Sequence, residues 1–182
     1  MKELSLNILD IAENSVKAKA TLTEISITET DKTLIIIIKD DGCGMSEETL
    51  KSVTDPFYTT RTTRKVGLGI PLLKLAAEQT GGRVSIVSKM ADEVDPTHGT
   101  TVTAAFYKDH LDFTPLGDIV SSVVTLIMGH PDTDFRFTHD TFWGSVSLDT
   151  RELREVLEGV PLDNYEVITW IRENLEEQYA SI

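Results

Sequence analysis

The chain has 182 residues, 40% hydrophobic and 26% charged, which suits an ordinary globular protein of one domain with an appendage or of two small domains. Its net charge of −13 argues against nucleic-acid binding, and its single cysteine, Cys43, excludes a disulfide framework or a thiolate metal cluster within one chain. No stretch has the pattern of a signal peptide or a membrane span, so we expect a cytoplasmic protein without membrane contact.

The negative charge is concentrated in the C-terminal part of the sequence. Residues 1–108 carry 15 acidic and 13 basic side chains, whereas residues 109–182 carry 15 acidic and 4 basic ones. This change in composition predicts an N-terminal domain over 1–108 and an acidic C-terminal accessory unit over 109–182. The acidity of that unit serves solubility in one interpretation and contact with a basic protein partner in the other.

The N-terminal part predicts alternating helices and strands. The segment LSLNILDIAENSVKAKA has helical spacing, with Leu6, Leu9, Ala12 and Val16 as its apolar face. TLTEISITET and TLIIIIKD follow as two strands joined by a polar turn. SEETLKSV begins a short helix with Ser46 at its start, and DPFYTTRTTRKVGLG has the composition of a loop. A helix in IPLLKLAAEQTGG and strands in RVSIVSKM and GTTVTAAFY complete this part.

These elements predict an α+β fold, a two-layer sandwich of two antiparallel hairpins with helices laid on one face. Beyond residue 108 we expect a helix in LGDIVSSVVTLIMGH, a hairpin in DFRFTHDTFWGSVSLD, and helices in TRELREVLEG and NYEVITWIRENLEEQ, which together form a small acidic α+β unit. The last helix is amphipathic, with apolar residues at Tyr165, Ile168, Ile171 and Leu175. We expect Trp143 and Trp170 to lie in the core of this unit.

Three polar residues of the first helix share one face. Asp10, Asn14 and Lys17 stand at i, i+4 and i+7, so their side chains point the same way. They supply a base, an oxygen ligand for magnesium and a cation for a phosphate group. The alternative is a solvated helix face with an ion pair between Glu13 and Lys17.

The apolar strand IIII ends in the acidic, glycine-containing loop DDGCGM. Asp40 closes the strand, and Gly42 and Gly44 let the backbone fold tightly beside whatever Asp40 faces. A carboxylate there can accept a hydrogen bond from an exocyclic amine such as that of adenine, and Thr100 of HGTT can hydrogen-bond near the floor of the same pocket. The alternative is a simple hairpin turn.

A second glycine-containing segment precedes the helix that carries Pro71. Gly67 and Gly69 leave the backbone N–H groups of the helix start accessible, which together with the helix dipole favours an anion. The preceding loop carries dense positive charge, contributed by Arg61, Arg64 and Lys65.

In their order and spacing these segments resemble the N, G1, G2 and G3 boxes of the GHKL (Bergerat-type) ATPases. That superfamily joins gyrase B-type topoisomerases, heat-shock chaperones, MutL proteins and histidine-kinase catalytic domains. DIAENSVKA resembles the N box, DDGCGM the G1 box, GLGI the G2 box and HGTT the G3 box, while DPFYTT resembles a loop of histidine kinases and anti-sigma serine kinases. The match covers residues 5 to 107 and implies ATP and Mg²⁺ as cofactors.

The resemblance also implies a role for each matching residue. Asp10 falls on the catalytic base, Asn14 on the metal ligand and Asp40 on the adenine-reading aspartate. The other implied cofactor-binding residues are Lys17, Gly42, Gly44, Met45, Arg61, Arg64, Lys65, Gly67, Leu68, Gly69 and Thr100. The lid over the nucleotide corresponds to about residues 55 to 66.

Three departures from the family pattern bear on function. The base position is Glu in the gyrase and MutL branches but Asp10 here, and Lys65 replaces the first glycine of the fuller G2 form. No helix with a phosphoacceptor histidine precedes the N box in this sequence. The four histidines follow that box outside any acceptor motif, at His98, His110, His130 and His139.

Three functions remain open on these grounds. The first is a stand-alone protein kinase that transfers the γ-phosphate of ATP to a separate phosphoacceptor protein, as the DPFYTT loop suggests. The second is an ATP-hydrolysing conformational switch, because Asp10 stands where the hydrolytic branch carries its base. The third is a regulatory module that binds the nucleotide without catalysis. A protein partner is expected in each case, with contact through the acidic C-terminal unit.

Overall fold

A computed structural model describes residues 3–54, 68–92 and 97–182. The loop predicted before the third helix falls largely within residues 55–67 and so lies outside the described residues. In chain order the described elements are α1 (Leu4–Lys17), β1 (Leu22–Glu29), β2 (Thr33–Asp40), α2 (Glu47–Thr54), α3 (Gly69–Gln79), β3 (Arg83–Lys89), β4 (Gly99–Tyr107), α4 (Ile119–Gly129), β5 (Asp134–Asp140), β6 (Ser145–Asp149), α5 (Thr150–Leu157) and α6 (Tyr165–Ala180). This is the predicted order of helices and strands.

The described strands form one mixed sheet in the order β3-β4-β2-β1-β5-β6. The predicted hairpins β1–β2, β3–β4 and β5–β6 are antiparallel, and β2 pairs with β4 to join the first two. β5 lies parallel to β1. Asp40 therefore ends an inner strand, where it lies opposite Thr23 of β1 and Thr100 of β4.

The run of four isoleucines obeys the two-residue period of a strand. Leu34, Ile36 and Ile38 of β2 are buried, while Ile37 on the opposite face is partly exposed. Helix α1 packs against β1 and β2, α3 against β3 and β4, and α4 against β5. The helices thus cover one face of the sheet, and the predicted α+β sandwich is confirmed.

The predicted apolar face of α1 is partly wrong. Leu6 is exposed, whereas Leu4, Ile8 and Ile11 are buried. The helix lies between α3 and α4 and against the sheet, so its buried arc is wider than a single stripe and is centred one position away from the predicted one. The consequence is that even polar Ser15 is buried on this helix.

The predicted core of the C-terminal part is also partly wrong. Trp143 is exposed and Trp170 is half exposed, so neither tryptophan is a core residue. Tyr165 is exposed as well, and Val167 is buried beside Ile171 in its place. The core of this part is built instead from small aliphatic side chains of α4 and α6 and from two phenylalanines of β5, because β5 is an inner strand covered by helix.

Sheet and core both cross residue 108. The backbone N–H groups of Leu4 and Ser5 donate to the carbonyls of Pro115 and Leu116 at 2.9 and 2.8 Å. One contiguous apolar cluster extends from the residues of β1 and β2 to those of α4, β5 and α6. Whether residues 1–108 and 109–182 are separable units stays a prediction. Within the described ranges, no helix combines the length and apolarity that crossing a lipid bilayer requires.

Candidate functional site

Asp40 is the best-anchored polar residue at the end of β2. Its Oδ1 accepts hydrogen bonds from the backbone N–H groups of Gly42 at 2.9 Å and Thr100 at 3.2 Å, and its Oδ2 accepts one from the Ser15 hydroxyl at 2.8 Å. Three donors from α1, the G1 loop and β4 thus fix one carboxylate. Hydrogen bonds to a charged acceptor are the stronger kind, so the group is held in one orientation.

Asp41 has a different role from Asp40. Its Oδ1 accepts from the backbone N–H groups of Thr21 at 2.7 Å and Leu22 at 3.0 Å, and its Oδ2 accepts from the Thr21 hydroxyl. Partial burial acts to raise the pKa of this carboxyl, but the donors of Leu22 and Thr21 together outweigh it and hold the pKa below its usual value. Asp41 therefore anchors the G1 loop to the start of β1.

A cavity of about 490 Å³ opens beside Asp40, between α1, the ends of β2 and β4, α2 and α3. Most of its lining is apolar, with a small number of polar groups, which is typical of a site for a small organic ligand. The lining residues are Ile11, Asn14, Ser15, Lys17, Ala18, Ile38, Asp40, Cys43, Met45, Thr49, Val53, Ile70, Thr100 and Val102. Five residues predicted from the sequence are among them: Asn14, Lys17, Asp40, Met45 and Thr100.

The G1 glycines allow the loop to pass close to its neighbours. A Cβ on Gly42 would lie 2.8 Å from the Cβ of Ala18, at the end of α1. Gly44 has a φ of +71°, and a Cβ there would lie 1.9 Å from the carbonyl oxygen of Lys89. Only glycine is compatible with both the left-handed φ and this approach. The two glycines shape the rim of the cavity without lining it.

Thr100 belongs to a short hydroxyl chain on the β3–β4 side. Its Oγ1 lies 2.7 Å from the Ser88 hydroxyl, which also accepts from the backbone N–H of Met45 at 2.8 Å. This chain ties the G1 loop to β3 and β4. The imidazole of His98 adds a further tie through its contact with the carbonyl of Gly42.

The three residues predicted to share a face of α1 do so, at different depths. Asn14 and Lys17 line the cavity, whereas Asp10 is exposed one turn earlier. Asp10 lies beside the start of α3, because a Cβ on Gly69 would be only 2.9 Å from the Cβ of Asp10. A carboxylate, an amide and an ammonium group therefore follow one another from the helix start into the cavity.

The start of α3 has the features expected of the G2 segment. Gly69 is buried against α1, with its carbonyl 3.4 Å from the Asn7 amide nitrogen, while Leu68 is exposed. No side chain of the described residues caps the helix at Leu68, so its first N–H groups keep their donor capacity. The remaining predicted residues of this segment lie outside the described residues: Arg61, Arg64, Lys65 and Gly67.

Sequence reasoning missed two members of this site. Ser15 is buried and donates to Asp40, and Ser88 joins Thr100 to Met45. The signal for Ser15 was its position one residue after Asn14, on a helix face that is otherwise apolar. Ser88 gave no signal, because its partner Thr100 comes from the neighbouring strand.

The two-layer sandwich carries this pocket at the end of its inner strands, and the sequence matches a family of ATPases. Residues 2–110 match the family model described as histidine kinase-, DNA gyrase B- and HSP90-like ATPase. This is more than half of the chain, and the chain therefore belongs to that family. Members of the family bind ATP, typically with Mg²⁺.

Two curated relatives are a bacterial sensor protein and a bacterial sporulation kinase. The chain is 32% identical over 94 residues to the sensor protein KdpD of Clostridium acetobutylicum, a match that covers 49% of this chain and 10% of that protein. It is 32% identical over 91 residues to sporulation kinase C of Bacillus subtilis, which covers 49% of this chain and 20% of the relative. The chain thus matches a small part of each of these proteins.

A solved structure supports the fold. The fold is similar to that of the Aquifex aeolicus MutL ATPase domain complexed with ADP. The similarity covers 87% of this chain and 70% of the MutL chain, with a TM-score of 0.52 and 16% sequence identity. At that identity the likeness establishes the fold alone. The residues of this chain fit an adenine nucleotide independently, because the cavity combines apolar walls with one fixed carboxylate and one amide.

Proposed function

We propose that the chain binds ATP with Mg²⁺ in the cavity beside Asp40 and transfers the γ-phosphate to a separate protein. The observation that carries this proposal is the triply anchored Asp40 carboxylate at the edge of a largely apolar cavity. A fixed acceptor between apolar walls suits the exocyclic amine of adenine. Asn14 and Lys17 lie on the same wall and suit the metal and the phosphates.

The roles of this chain's residues follow from their positions. Asp40 orients the base, the aliphatic side chains of Ile38 and Val102 exclude water from it, and Thr100 contributes a hydroxyl on the opposite strand. Asn14 would hold the metal through its neutral side-chain oxygen, and Mg²⁺ bound there would offset the negative charge of the phosphates. Bound ATP supplies the transferable phosphoryl group. Asp10, exposed beside the start of α3, accepts the proton of the incoming hydroxyl or water.

The four histidines do not line the cavity beside Asp40. His139 is buried, His130 lies 2.9 Å from the carboxylate of Glu13, and His98 contacts the Gly42 carbonyl. His110 is exposed in a turn near Asp112. One of the relatives that match this chain, sporulation kinase C, is a kinase by name, which supports the same class.

The test is phosphotransfer with γ-labelled ATP and Mg²⁺, in which proteins encoded by neighbouring genes serve as candidate acceptors. We expect label on a separate protein and none with the Asp40→Asn chain. Calorimetry on the same samples reports ATP binding separately. Tight ATP binding with no transfer to any candidate would count against the kinase and leave the pocket assignment standing.

The position of Asp10 favours a second candidate, an ATP-hydrolysing switch. The exposed carboxylate stands four residues before Asn14 and directly beside the first turn of α3. Steady ATP turnover that is lost in Asp10→Asn, with nucleotide affinity retained, would support hydrolysis. Turnover unaffected by this change would remove Asp10 from the mechanism. ATP binding without turnover or phosphotransfer would support the third function, a regulatory module without catalysis.

A further inference from the structure

The turn between β5 and β6 exposes two large aromatic side chains that the proposed function does not use. Phe142 and Trp143 are 82% and 79% exposed, and their rings pack edge to face with centroids 5.1 Å apart. Aromatic side chains are usually buried, and tryptophan is enriched among the residues that dominate binding energies at protein interfaces. This pair is therefore a candidate anchor for a partner.

The turn that carries the pair is held by its own hydrogen bonds. The N–H and hydroxyl of Thr141 donate to the carbonyl of Gly144 at 2.9 and 2.8 Å, and the Thr141 hydroxyl accepts from the N–H groups of Trp143 and Gly144. The Ser145 hydroxyl donates to Asp140 at 2.6 Å. A turn ordered before binding loses little conformational freedom when a partner docks.

The aromatic pair borders a cavity at the end of the sheet, next to a network of hydrogen-bonded side chains. A cavity of about 400 Å³ beneath Trp143 is lined by Tyr179, Ile182 and other residues of this end of the sheet. Buried His139 joins the Tyr179 hydroxyl at 2.8 Å to the Glu29 carboxylate at 3.2 Å, and Glu29 also pairs with Lys108. The polar side chains beside this cavity are therefore hydrogen-bonded to one another, and the rest of its lining is largely apolar.

The other side of Phe142 is acidic. A second cavity, of about 620 Å³, is lined by Glu29, Asp31, Asp140 and Phe142 together with three threonines. Glu29 already has its partners Lys108 and His139. The carboxylates of Asp31 and Asp140 have no ion-pair partner among the described residues. Two aromatic rings thus stand beside two carboxylates without a counter-ion in a chain of net charge −13.

We propose that Phe142, Trp143, Asp31 and Asp140, here called the tip surface, form a docking site for a basic segment of a partner protein. Arginine or lysine side chains of that segment stack on the exposed rings and pair with the two carboxylates, while its apolar residues enter the cavity beneath Trp143. The complementary charge commits the site to a basic occupant. An acidic or neutral segment would leave both carboxylates unpaired.

The tip surface lies at the opposite end of the sheet from the nucleotide pocket. In the β1–β2 pair, Asp40 lies opposite Thr23 whereas Leu34 lies opposite Glu29. Six residues of strand separate the two ends, about 20 Å at the usual rise of a strand. A partner docked on the tip surface therefore leaves the pocket beside Asp40 open.

The test uses Trp143 as its own reporter in the full-length chain. The chain has two tryptophans, so a Trp170→Phe background leaves Trp143 as the sole emitter. The probe is a short peptide of alternating arginine and leucine, titrated without nucleotide so that the result is independent of the proposed activity. We expect a saturable shift of Trp143 emission and no shift with a peptide that carries glutamate in place of arginine.

Matched variants locate the site. Phe142→Ala should weaken binding about tenfold, since anchors of this kind dominate interfaces, and Asp31→Asn with Asp140→Asn should weaken it about three- to tenfold. Two control variants should leave the affinity unchanged. Tyr165→Ala removes an equally exposed aromatic side chain, and Asp132→Asn removes an exposed carboxylate just before the start of β5. Circular dichroism checks that each variant folds.

Four results would overturn the proposal. The first is the absence of a peptide-dependent shift, and the second is an equal loss of affinity in Asp132→Asn, which would indicate non-specific attraction. The third is self-association in sedimentation that Phe142→Ala abolishes, because the tip would then contact a second copy. The fourth is a blue shift of Trp143 emission with phosphatidylcholine vesicles, which would assign the tip to a membrane surface.

Discussion

The Ser15 hydroxyl donates a hydrogen bond of 2.8 Å to the Asp40 Oδ2 and so joins the middle of the candidate site across two elements. Ser15 is buried on α1, and Asp40 ends β2. The bond fixes the helix that carries Asn14 relative to the carboxylate at the end of the strand. This contact between residues 25 positions apart therefore joins the α1 wall of the pocket to its β2 wall.

Asp40 should be needed for nucleotide binding in a way that Asp41 is not. In Asp40→Asn the exocyclic amine of adenine loses a charged acceptor, at a cost of about 1.5–3 kcal/mol, which is roughly ten- to over a hundredfold in the dissociation constant. Asp41→Asn should keep ATP affinity and lose about 1 kcal/mol of stability, because Thr21 and Leu22 lose a charged acceptor. Calorimetric titration and denaturant unfolding measure the two effects. Equal ATP affinity in wild type and Asp40→Asn would refute the assignment of Asp40.

Asn14→Ala should remove the magnesium dependence of ATP binding. Asn14 lines the cavity, and its side-chain amide makes no hydrogen bond to another described residue, so its loss should affect the metal more than the base. We expect ADP binding without magnesium to stay close to the wild-type affinity. The measurement is a titration of ATP and ADP with Mg²⁺ and with EDTA. If both affinities fell together in each condition, Asn14 would support the pocket wall instead.

Gly69→Ala should loosen the contact between α1 and α3. A Cβ there would lie 2.9 Å from the Cβ of Asp10, and overpacking of this kind costs about 1–3 kcal/mol. Gly129→Ala, also in a helix, places its Cβ in open space and should be neutral or slightly stabilising. Urea unfolding of the two variants provides the comparison. Similar stability of both chains would show that α1 and α3 are farther apart than the structure has them.

Protonation of His139 should destabilise the fold at mildly acidic pH. Burial lowers the pKa of His139 against the opposing effect of Glu29 and Asp140, with Lys108 also lowering it. The unfolded chain binds a proton at this histidine near pH 6.5, whereas the folded chain binds it only at lower pH. The free energy of unfolding is therefore highest above pH 6.5 and decreases below it, by at most about 1.4 kcal/mol per pH unit for one proton. The melting temperature from pH 8 to pH 5 measures this.

Two histidine variants serve as controls for the pH experiment. His139→Gln should be less stable at pH 8 but should have a flatter dependence on pH, whereas His110→Gln, a change at an exposed turn, should follow the wild-type slope. Parallel curves for wild type and His139→Gln would mean that other groups cause the acid sensitivity.

Cutting the chain after residue 108 should lower its stability. The described residues that line the pocket come from positions 11 to 102, which agrees with a nucleotide site within 1–108. However, the cut removes β5 from the edge of β1 and α4 from α1. We expect the fragment 1–108 to unfold at lower denaturant concentration and to be restored by added fragment 109–182. Full stability and full ATP affinity of 1–108 alone would establish two separable units.

Local sequence patterns were enough to predict the order of the elements and the segments that build the pocket. Helical and strand periodicity are local properties, so α1, the β1–β2 hairpin and the glycine loop after Asp40 could be recognised from short stretches. The resemblance of DDGCGM to the G1 box selected Asp40, which closes the apolar strand, as the adenine-reading aspartate. Asn14 and Lys17 were placed together because a helix brings i and i+3 onto one face.

Which of these segments meet, and which side chains stay exposed, depends on the packing of the whole chain. The parallel pairing of β5 with β1, the bond from Ser15 to Asp40 and the link from Ser88 to Thr100 all join residues from different elements, and no local period encodes such contacts. The exposure of Trp143 was decided in the same way. Apolar side chains are buried only where another element covers them, and at the β5–β6 turn Phe142 and Trp143 stay exposed.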